Sequence, residues 1–289
     1  MIPRRRQRLA AVAGAFAALL AAGAPAFAAE TPRTAFRVCQ DPKNLPFSNL
    51  EGEGFENQIA GLFARDLGLK LEYYSFPQRL AFVRNTLRYK LPGEDYRCDV
   101  MIGAPADFDQ VSTTRPYYRS TYALVFAKGH GLDAVHSGED FLKLGPGRLA
   151  PLKIGVFDLS PASQWLARHN LVNQGVPYQQ MNPNPDESPH DAVQRDLASG
   201  KLDAAILWGP IAGHVAKNIH EREMVVVPLS SEPGVRFDYD MAMGVRYGEP
   251  EWKATIQALI DRHKSEIDAI LRSYGVPLLE LRPTPAAGR

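Results

Sequence analysis

The stretch FRVCQDPKNLPFSNLEGEGFENQIAGLFARDLG, residues 36–68, decides the fold. Phe36–Gln40 is short and apolar, which predicts a buried strand, and Asp41-Pro42-Lys43-Asn44 ends it. After a glycine-rich turn, apolar residues recur every three or four positions from Phe55, which predicts an amphipathic helix that ends at Gly68. A strand, a long loop and a helix in this order are typical of the first unit of an α/β sheet.

Strands and helices alternate in two series along the rest of the chain. The second series begins with a strand at Lys153–Phe157, and extended segments near Arg119–Ala127 and Val235–Tyr239 connect the two series. This pattern predicts two Rossmann-like α/β lobes joined by two hinge strands, with a ligand cleft at the carboxyl ends of the strands. The predicted parts are a first lobe of residues 34–119 and 239–282, a second lobe of residues 120–238, and a disordered tail of residues 283–289. Other predicted helices are Arg79–Leu91, Pro161–Asn173 and Pro250–Tyr274, the last broken near Lys264–Glu266.

The N-terminus carries the features of a secretory signal peptide. A basic segment with Arg4, Arg5, Arg6 and Arg8 precedes an apolar, alanine-rich stretch, and Ala26-Phe27-Ala28 offers small residues for cleavage. A membrane anchor is the alternative, but the apolar stretch is shorter than the roughly 20 residues that span a bilayer. We therefore predict a signal peptide over residues 1–28, a periplasmic location and no membrane span. Sec export is favoured over twin-arginine export because the full twin-arginine motif is missing.

Composition and motif content argue against several function classes. The 33 Lys and Arg residues nearly balance the 32 Asp and Glu residues, so no basic surface for nucleic acid is expected. The chain has no nucleophile elbow, phosphate loop or metal-ligand spacing, and its seven histidines are scattered. Asp107 and Asp109 stand two positions apart, without a third oxygen ligand nearby. The sequence therefore predicts a non-catalytic protein with no metal site and no cofactor of its own.

Cys39 and Cys98 are the two cysteines of the chain. In an oxidising compartment a disulfide is the default expectation. However, Cys39 lies late in the first strand, and Cys98 just precedes the third strand, predicted at Asp99–Gly103. If these strands are parallel neighbours, the two cysteines would lie roughly 10–13 Å apart at about 3.3 Å per residue. Because a disulfide needs Cα atoms within about 7 Å, we expect two free, buried thiols.

Two sets of motifs resemble known protein families. Residues 36–68 and the segment LASGKLDAAILWGPIA, residues 197–212, resemble the family 3 solute-binding proteins that serve polar amino-acid transporters. A closer resemblance is to the J proteins of methanol-dehydrogenase gene clusters, MoxJ and XoxJ. It is carried by RVCQDPKNLPFSN (37–49), GFENQIA (54–60), FVRNTL (82–87), RCDVMIGAPADFD (97–109) and TTRPYYRSTY (113–122). One departure is Arg88–Arg97, which is longer than the usual connection before the third strand.

The resemblance implies a fold, a partner and a role. The fold would be that of a type II periplasmic binding protein, or Venus flytrap. The partner would be a quinoprotein methanol dehydrogenase that carries pyrroloquinoline quinone (PQQ) and a metal, and this chain, a monomer or weak oligomer, would assist its maturation or activation by contact. The alternative is a substrate-binding protein of an ABC transporter for a small solute that is not a standard amino acid. A third class is an enzyme, because some prephenate- and arogenate-type dehydratases share this fold.

The residues expected in the cleft help to decide between these three functions. An amino-acid receptor of this family has an arginine after the third strand that grips the α-carboxylate as a two-pronged fork. Here residues 104–109 contain no arginine, and Trp208 stands where the second-lobe acid should be, although Asp41 matches a first-lobe acid. Trp208 and Phe55 would clamp a flat ligand from opposite lobes, or Trp208 would fill the cleft as core. The candidate cleft residues are Asp41, Asn44, Phe55, Ala106, Ser160 and Trp208.

A cluster of arginines and tyrosines lies beside the first predicted hinge strand. It comprises Arg115, Tyr117, Tyr118 and Arg119, with Pro116 between the first two. Arginine and tyrosine are enriched at the hot spots of protein interfaces, so the cluster is a candidate partner surface. Ordinary hinge packing and direct ligand contact are the alternatives for the same four residues.

The absence of the arginine and of the second-lobe acid leads to a testable prediction about ligands. Because an α-carboxylate would be buried without its arginine, the purified protein should not bind standard L-amino acids. A thermal-shift screen of the amino acids tests this, since a ligand present at about 100 times its Kd adds about 2.7 kcal/mol of stability. A clear rise in melting temperature with any of them contradicts the expectation.

Overall fold

The computed structural model describes residues 33–78, 81–180 and 187–282. The predicted signal peptide, the predicted tail and residues 181–186 of a proline-rich loop lie outside the described residues. Within the described ranges, no helix combines the length and apolar character needed to cross a bilayer.

The strands, in chain order, are β1 (Ala35–Gln40), β2 (Lys43–Asn44), β3 (Ser48–Asn49), β4 (Lys70–Ser75), β5 (Val100–Pro105), β6 (Ser112–Thr113), β7 (Tyr118–Ala127), β8 (Ile154–Phe157), β9 (Gly175–Tyr178), β10 (Ala204–Trp208), β11 (Met224–Pro228), β12 (Asp238–Val245) and β13 (Leu278–Leu279). The α-helices are α1 (Phe55–Leu67), α2 (Phe82–Asn85), α3 (Gly138–Leu142), α4 (Pro146–Leu149), α5 (Pro161–Arg168), α6 (Asp191–Ser199), α7 (Gly209–Asn218), α8 (Pro250–Arg262) and α9 (Lys264–Ser273). A short 3₁₀ turn covers Val172–Gln174.

Two groups of parallel strands form the two halves of the sheet. The strand order is β4-β1-β5-β12-β7-β10-β8-β9, with β6 beside β12, and β11 and β13 beside β7. β4, β1 and β5 run parallel on one side, and β10, β8 and β9 run parallel on the other. Between the two groups, β12 and β7 pair antiparallel to each other and to their outer neighbours. The mixed α/β fold with two lobes is thereby confirmed, while the residue boundaries of the lobes stay predictions.

Alternating side chains place a hydrophobic core on each face of both groups. In β1, Phe36 and Val38 pack into one core with α1, α8 and α9, while Cys39 points into a smaller core on the opposite face. In β10, Ile206 and Leu207 likewise enter different cores. Burial on both faces is characteristic of parallel sheets and explains why these strands read as continuous apolar runs.

A buried ion cluster fastens the point where β7 and β12 cross between the groups. Arg119 of β7 donates through Nη2 and Nε to Oδ2 of Asp238 in β12, at 2.7 and 3.1 Å. Arg282, beyond β13, donates to Asp238 and also to Asp240, and Ser231 donates to the second oxygen of Asp238. Burial by itself raises the pKa of Asp238, but the hydrogen bonds from Ser231 and Arg119 and the arginine charges outweigh it, so the pKa lies below its ordinary value.

Several helices and strands differ from the sequence predictions for identifiable reasons. Within the described part of the predicted helix Arg79–Leu91, only α2 is helical, because Thr86 leaves helical geometry and its hydroxyl donates to the carbonyl of Phe82. Residues 79 and 80 lie outside the described residues. The predicted helix Pro161–Asn173 ends at Arg168. The missed strand β9 contains Pro177, which is tolerated because β9 is an edge strand, paired with β8 on one side. The last helical region does break near the expected position, between α8 and α9.

The expectation of two free thiols is wrong, because Cys39 and Cys98 form a disulfide with a Cα–Cα distance of 5.3 Å. The assumed strand register is correct, since Cys39 lies beside Met101, three residues after Cys98. The error lies in treating Cys98 as part of an extended strand. β5 begins at Val100, and the chain bends at Arg97 and Asp99, which brings Cys98 back to Cys39.

A buried arginine holds this bend in place. Arg246 donates through Nη1 to the carbonyl oxygens of Leu87 and Cys98, and its Nη2 donates to Oδ1 of Asp99 at 2.7 Å. Asp99 also pairs with Nε of Arg37 at 3.2 Å, and its backbone N–H donates to the carbonyl of Arg37. These contacts fix the approach of Cys98 to the first strand.

The disulfide leads to a prediction about stability. It closes a loop with a sequence separation of 59 residues, for which the chain-entropy relation gives a stabilisation of about 4 kcal/mol. The double variant Cys39→Ala, Cys98→Ala should therefore lose up to about that free energy of unfolding in a denaturant titration. Thiol titration of the denatured, unreduced wild type should find no free thiol. Two thiols per chain would contradict the disulfide.

Candidate functional site

A cavity of about 450 Å³ lies where the strands of both groups end. Its walls include the loop after β1, the first turn of α1 and the end of β5 from the first group. From the second group come the end of β10, the loop after β8 and the segment before α6. This is the location expected for a ligand site in an α/β sheet of this kind.

The loop after β1 presents Asp41 and Asn44 to the cavity, as predicted. Oδ1 of Asp41 accepts a hydrogen bond from the backbone N–H of Lys43 at 2.8 Å, and Oδ2 accepts one from Gln78. Asn44 donates to the side chain of Gln78 at 3.0 Å. These contacts fix the carboxylate of Asp41 and connect the loop to the segment that follows β4.

Glu56 is a cleft residue that the sequence analysis missed. It lies in the first turn of α1, about 100° around the helix from Phe55, and it lines the cavity. It remains partly accessible because it faces the cavity, while protein encloses its other sides. Burial first, and then the negative charge of Asp41, raise the pKa of Glu56 from 4.5 to about 8. The sequence signal that could have indicated it is the acidic residue directly after Gly54-Phe55, in the first turn of the predicted helix.

Gly103, near the end of β5, makes room for this carboxyl group. A Cβ atom built on Gly103 would lie 2.2 Å from Oε1 of Glu56, which no side chain could tolerate without displacing it. The glycine between two apolar residues of a strand therefore serves a close approach, which is a recognised use of glycine inside strands.

Three aromatic rings form another part of the cavity wall. The ring centroid of Trp208 lies 5.7 Å from that of Tyr122 and 5.6 Å from that of Tyr239. Tyr122 belongs to β7 and Tyr239 to β12, so Trp208 of β10 sits against both hinge strands. Trp208 also packs against the core of the first group while it faces the cavity. It is therefore both part of the packing and part of the site.

Other candidate cleft residues have different positions. The prediction that Phe55 and Trp208 clamp a flat ligand is wrong. Phe55 is fully buried and packs edge-on against Phe47, Tyr118 and Tyr274. Ser160 lines the cavity, but its hydroxyl donates to the carbonyl of Phe157 and caps α5. Ala106 is not part of the cavity wall, and its backbone N–H donates to the backbone carbonyl of Asp240.

A buried histidine closes the second-lobe side of the cavity. His190 lies next to the hydroxyl of Ser188, 2.9 Å from Nδ1, and its ring centroid is 5.7 Å from that of His214. Burial first, and then the proximity of His214, lower the pKa of His190 to about 3. The ring is therefore uncharged at neutral pH and contributes hydrogen bonding rather than charge.

The four hinge candidates divide into buried and exposed residues. Tyr117 and Tyr118 lie in the core, where burial raises the pKa of both hydroxyls well above 10, and Arg119 belongs to the ion cluster. This placement agrees with hinge packing, the alternative to partner contact. Arg115 is different, because its side chain is 57% exposed and pairs with Asp261 at 2.6 Å. Partner contact by the cluster stays a prediction, and Arg115 is the residue whose side chain could make it.

The chemistry of the cavity suits binding. Across residues 33–78, 81–180 and 187–282, no group of three His, Cys, Asp or Glu side chains is arranged to hold a metal ion. The described cavity wall has acidic, aromatic, apolar and neutral polar side chains, and Lys43 is the one lysine or arginine among them. A fork that could grip a carboxylate is therefore missing from this described wall, in agreement with the sequence analysis.

Comparison with known proteins identifies the family. No protein-family model matches the chain. Protein MoxJ of Methylorubrum extorquens is 31% identical, over 96% of this chain and 97% of that protein. The crystal structure of the periplasmic binding protein XoxJ from Methylobacterium extorquens AM1 is 38% identical, with a TM-score of 0.69 over 86% of this chain and 100% of that one. An ancestral cationic amino acid solute-binding protein, 19% identical with a TM-score of 0.62 over 84% of this chain and 96% of that one, shows the shared fold alone. The chain thus has the fold of the type II periplasmic solute-binding proteins and belongs to the MoxJ and XoxJ family.

Proposed function

We propose that this protein is a periplasmic accessory protein of a PQQ-dependent methanol dehydrogenase. It assists the maturation or activation of that enzyme by protein contact and catalyses no reaction itself. The observation that carries the proposal is the relation to MoxJ, which extends over 97% of the length of that protein. PQQ and the metal belong to the partner enzyme in this proposal. The predicted signal peptide supports the periplasmic location.

The cavity wall supports a role other than amino-acid transport. Of the anchors that an amino-acid receptor uses, Asp41 is present, but Trp208 replaces the second-lobe acid and the described wall has no arginine. A dehydratase on this fold needs a cleft acid and an arginine for the carboxylate. Glu56 meets the first requirement, and the second is unmet within the described wall.

A transport receptor for another solute is the second candidate. The observation that favours it is the cavity itself, whose volume of about 450 Å³ falls in the range of small-molecule sites. Genetic context separates the two candidates: a gene beside a methanol dehydrogenase supports the accessory role, and one beside transporter permease genes supports transport.

Exposed side chains indicate where a partner could bind. Leu159 is 94% exposed and has a left-handed φ of 57°, directly before Ser160 of the cavity wall. Leu50 is 67% exposed, and its backbone N–H donates to the carbonyl oxygen of Pro42 in the loop that carries Asp41. Single exposed leucines are common on protein surfaces, but these two adjoin segments that line the cavity, so we include the cleft mouth with Arg115 in the candidate partner surface.

The partner surface can be tested with single arginine variants. Arg115→Ala should weaken binding to the dehydrogenase of the same gene cluster by about 1–2 kcal/mol if Arg115 is a hot spot. Its stability should change little, because the ion pair with Asp261 is exposed. The matched control is Arg168→Ala, another half-exposed arginine in an ion pair, with Glu232. Biolayer interferometry with the purified dehydrogenase measures the affinities, and an unrelated amino-acid receptor gives the background.

The outcomes separate the surface from the function. Binding that is unchanged in Arg115→Ala removes Arg115 from the interface but leaves the accessory role in place. Binding no stronger than that of the unrelated receptor, together with normal dehydrogenase activity in a strain that lacks this protein, would refute the accessory role. Arg119→Ala is unsuitable as a binding variant, since it leaves Asp238 buried with one partner fewer.

A further inference from the structure

The carboxyl groups of Asp41, Glu56 and Glu187 line the cavity, and those of Asp41 and Glu56 have no basic partner among the described residues. Asp41 is held by backbone N–H groups, and the negative charge of Asp41 acts on Glu56. Glu56 has no hydrogen bond or ion pair to any of the described residues. Lys43, the basic residue of the described wall, has an exposed side chain. A carboxyl group that is largely enclosed by protein and has no described partner is costly to ionise, and a positive charge placed in the cavity would relieve that cost.

The aromatic part of the wall also favours a cation. Trp208 lies between Tyr122 and Tyr239, and all three line the same cavity as the two carboxyl groups. Faces of aromatic rings attract organic cations, most strongly that of tryptophan, and they also bury the apolar part of such a ligand. The acidic and the aromatic side chains thus indicate independently that the cavity favours an organic cation.

We propose that this cavity binds a small organic monocation, such as a protonated amine, that carries no carboxylate. Its charged nitrogen lies between Asp41 and Glu56, and its apolar body lies against Trp208. The missing arginine disfavours an amino acid, because the carboxylate of such a ligand would have no partner in the described wall. This binding activity is separate from the accessory role and does not depend on it.

Binding of a cation is coupled to a proton. The charge of Asp41 in the β1 loop raises the pKa of Glu56, and the charge of Glu56 in turn raises the pKa of Tyr73 in β4 and of Tyr117 and Tyr118. Glu187 is a further acid of the cavity wall. Burial raises the pKa of each of these tyrosines, which therefore stay neutral near pH 7. In the free protein the pKa of Glu56 is about 8, and a bound cation favours the ionised form and lowers this pKa. Binding therefore releases a proton, and the affinity rises with pH up to about pH 8, by at most about tenfold per pH unit.

The experiment uses three cations and their uncharged or negatively charged counterparts. Phenethylamine, hexylamine and benzamidine are titrated into the protein in a calorimeter, beside their neutral counterparts 2-phenylethanol, hexanol and benzamide and the anion 3-phenylpropionate. At least one cation should bind about tenfold or more tightly than its neutral counterpart, and the anion should not bind. Its affinity should rise between about pH 6 and pH 8, with proton release detected as a dependence of the heat on the buffer.

Two matched variants test whether Glu56 supplies the carboxyl group that binds the cation. Glu56→Gln keeps the shape of the side chain and should reduce cation affinity and abolish both its pH dependence and the proton release. Glu51→Gln makes the same change at an exposed position outside the cavity and should leave binding unchanged. Circular dichroism confirms that both variants fold. If no cation binds better than its neutral counterpart, or if Glu56→Gln binds like the wild type, the proposal is overturned.

Discussion

The antiparallel pairing of β7 with β12 is the interaction on which the rest of the structure depends. Without it, the parallel groups β4-β1-β5 and β10-β8-β9 would each have their own cores but no shared cleft. The same two strands place Tyr122 and Tyr239 in the cavity wall. They also bring Arg119 of β7 into hydrogen-bonding contact with Asp238 of β12. Because a buried ion pair loses much of its stabilisation when its geometry changes, the cluster favours one arrangement of the crossing strands.

The cavity takes its character from positions close to these strands. The first turn of α1 brings Glu56 to the end of β5, where Gly103 leaves space for its carboxyl group. The pKa of Glu56 rises because of burial first and then because of the negative charge of Asp41, which the loop after β1 holds nearby. The end of β10 places a tryptophan where the sequence comparison with amino-acid receptors expects an acid. The geometry of the fold is conserved in outline, while the chemistry of its cleft differs.

Local patterns predicted most of the fold but only part of the site. The strand and helix in residues 36–68, the second series after Lys153 and the break before α9 could be predicted because each depends on periodicity and on nearby glycine or proline. The disulfide could not, because it depends on a bend held by Arg246, about 150 residues further along the chain. Phe55 and Glu56 are adjacent in sequence, and which of them enters the cleft depends on the rotation of α1 against its core. The burial of Tyr117 and Tyr118 likewise results from tertiary packing that their residue types do not reveal.

The disulfide between Cys39 and Cys98 makes the stability of the first lobe depend on the redox state of its surroundings. Both sulfur atoms lie in a small core with Val83, Leu87 and Met101, which has few other apolar residues to hold it together. Under reducing conditions this part of the chain lacks its covalent closure, and the unfolded chain regains the conformational freedom that the bond removes. In an oxidising compartment the bond closes and the lobe is completed. The stability of this part of the binding fold is therefore coupled to the redox state of the solution around it.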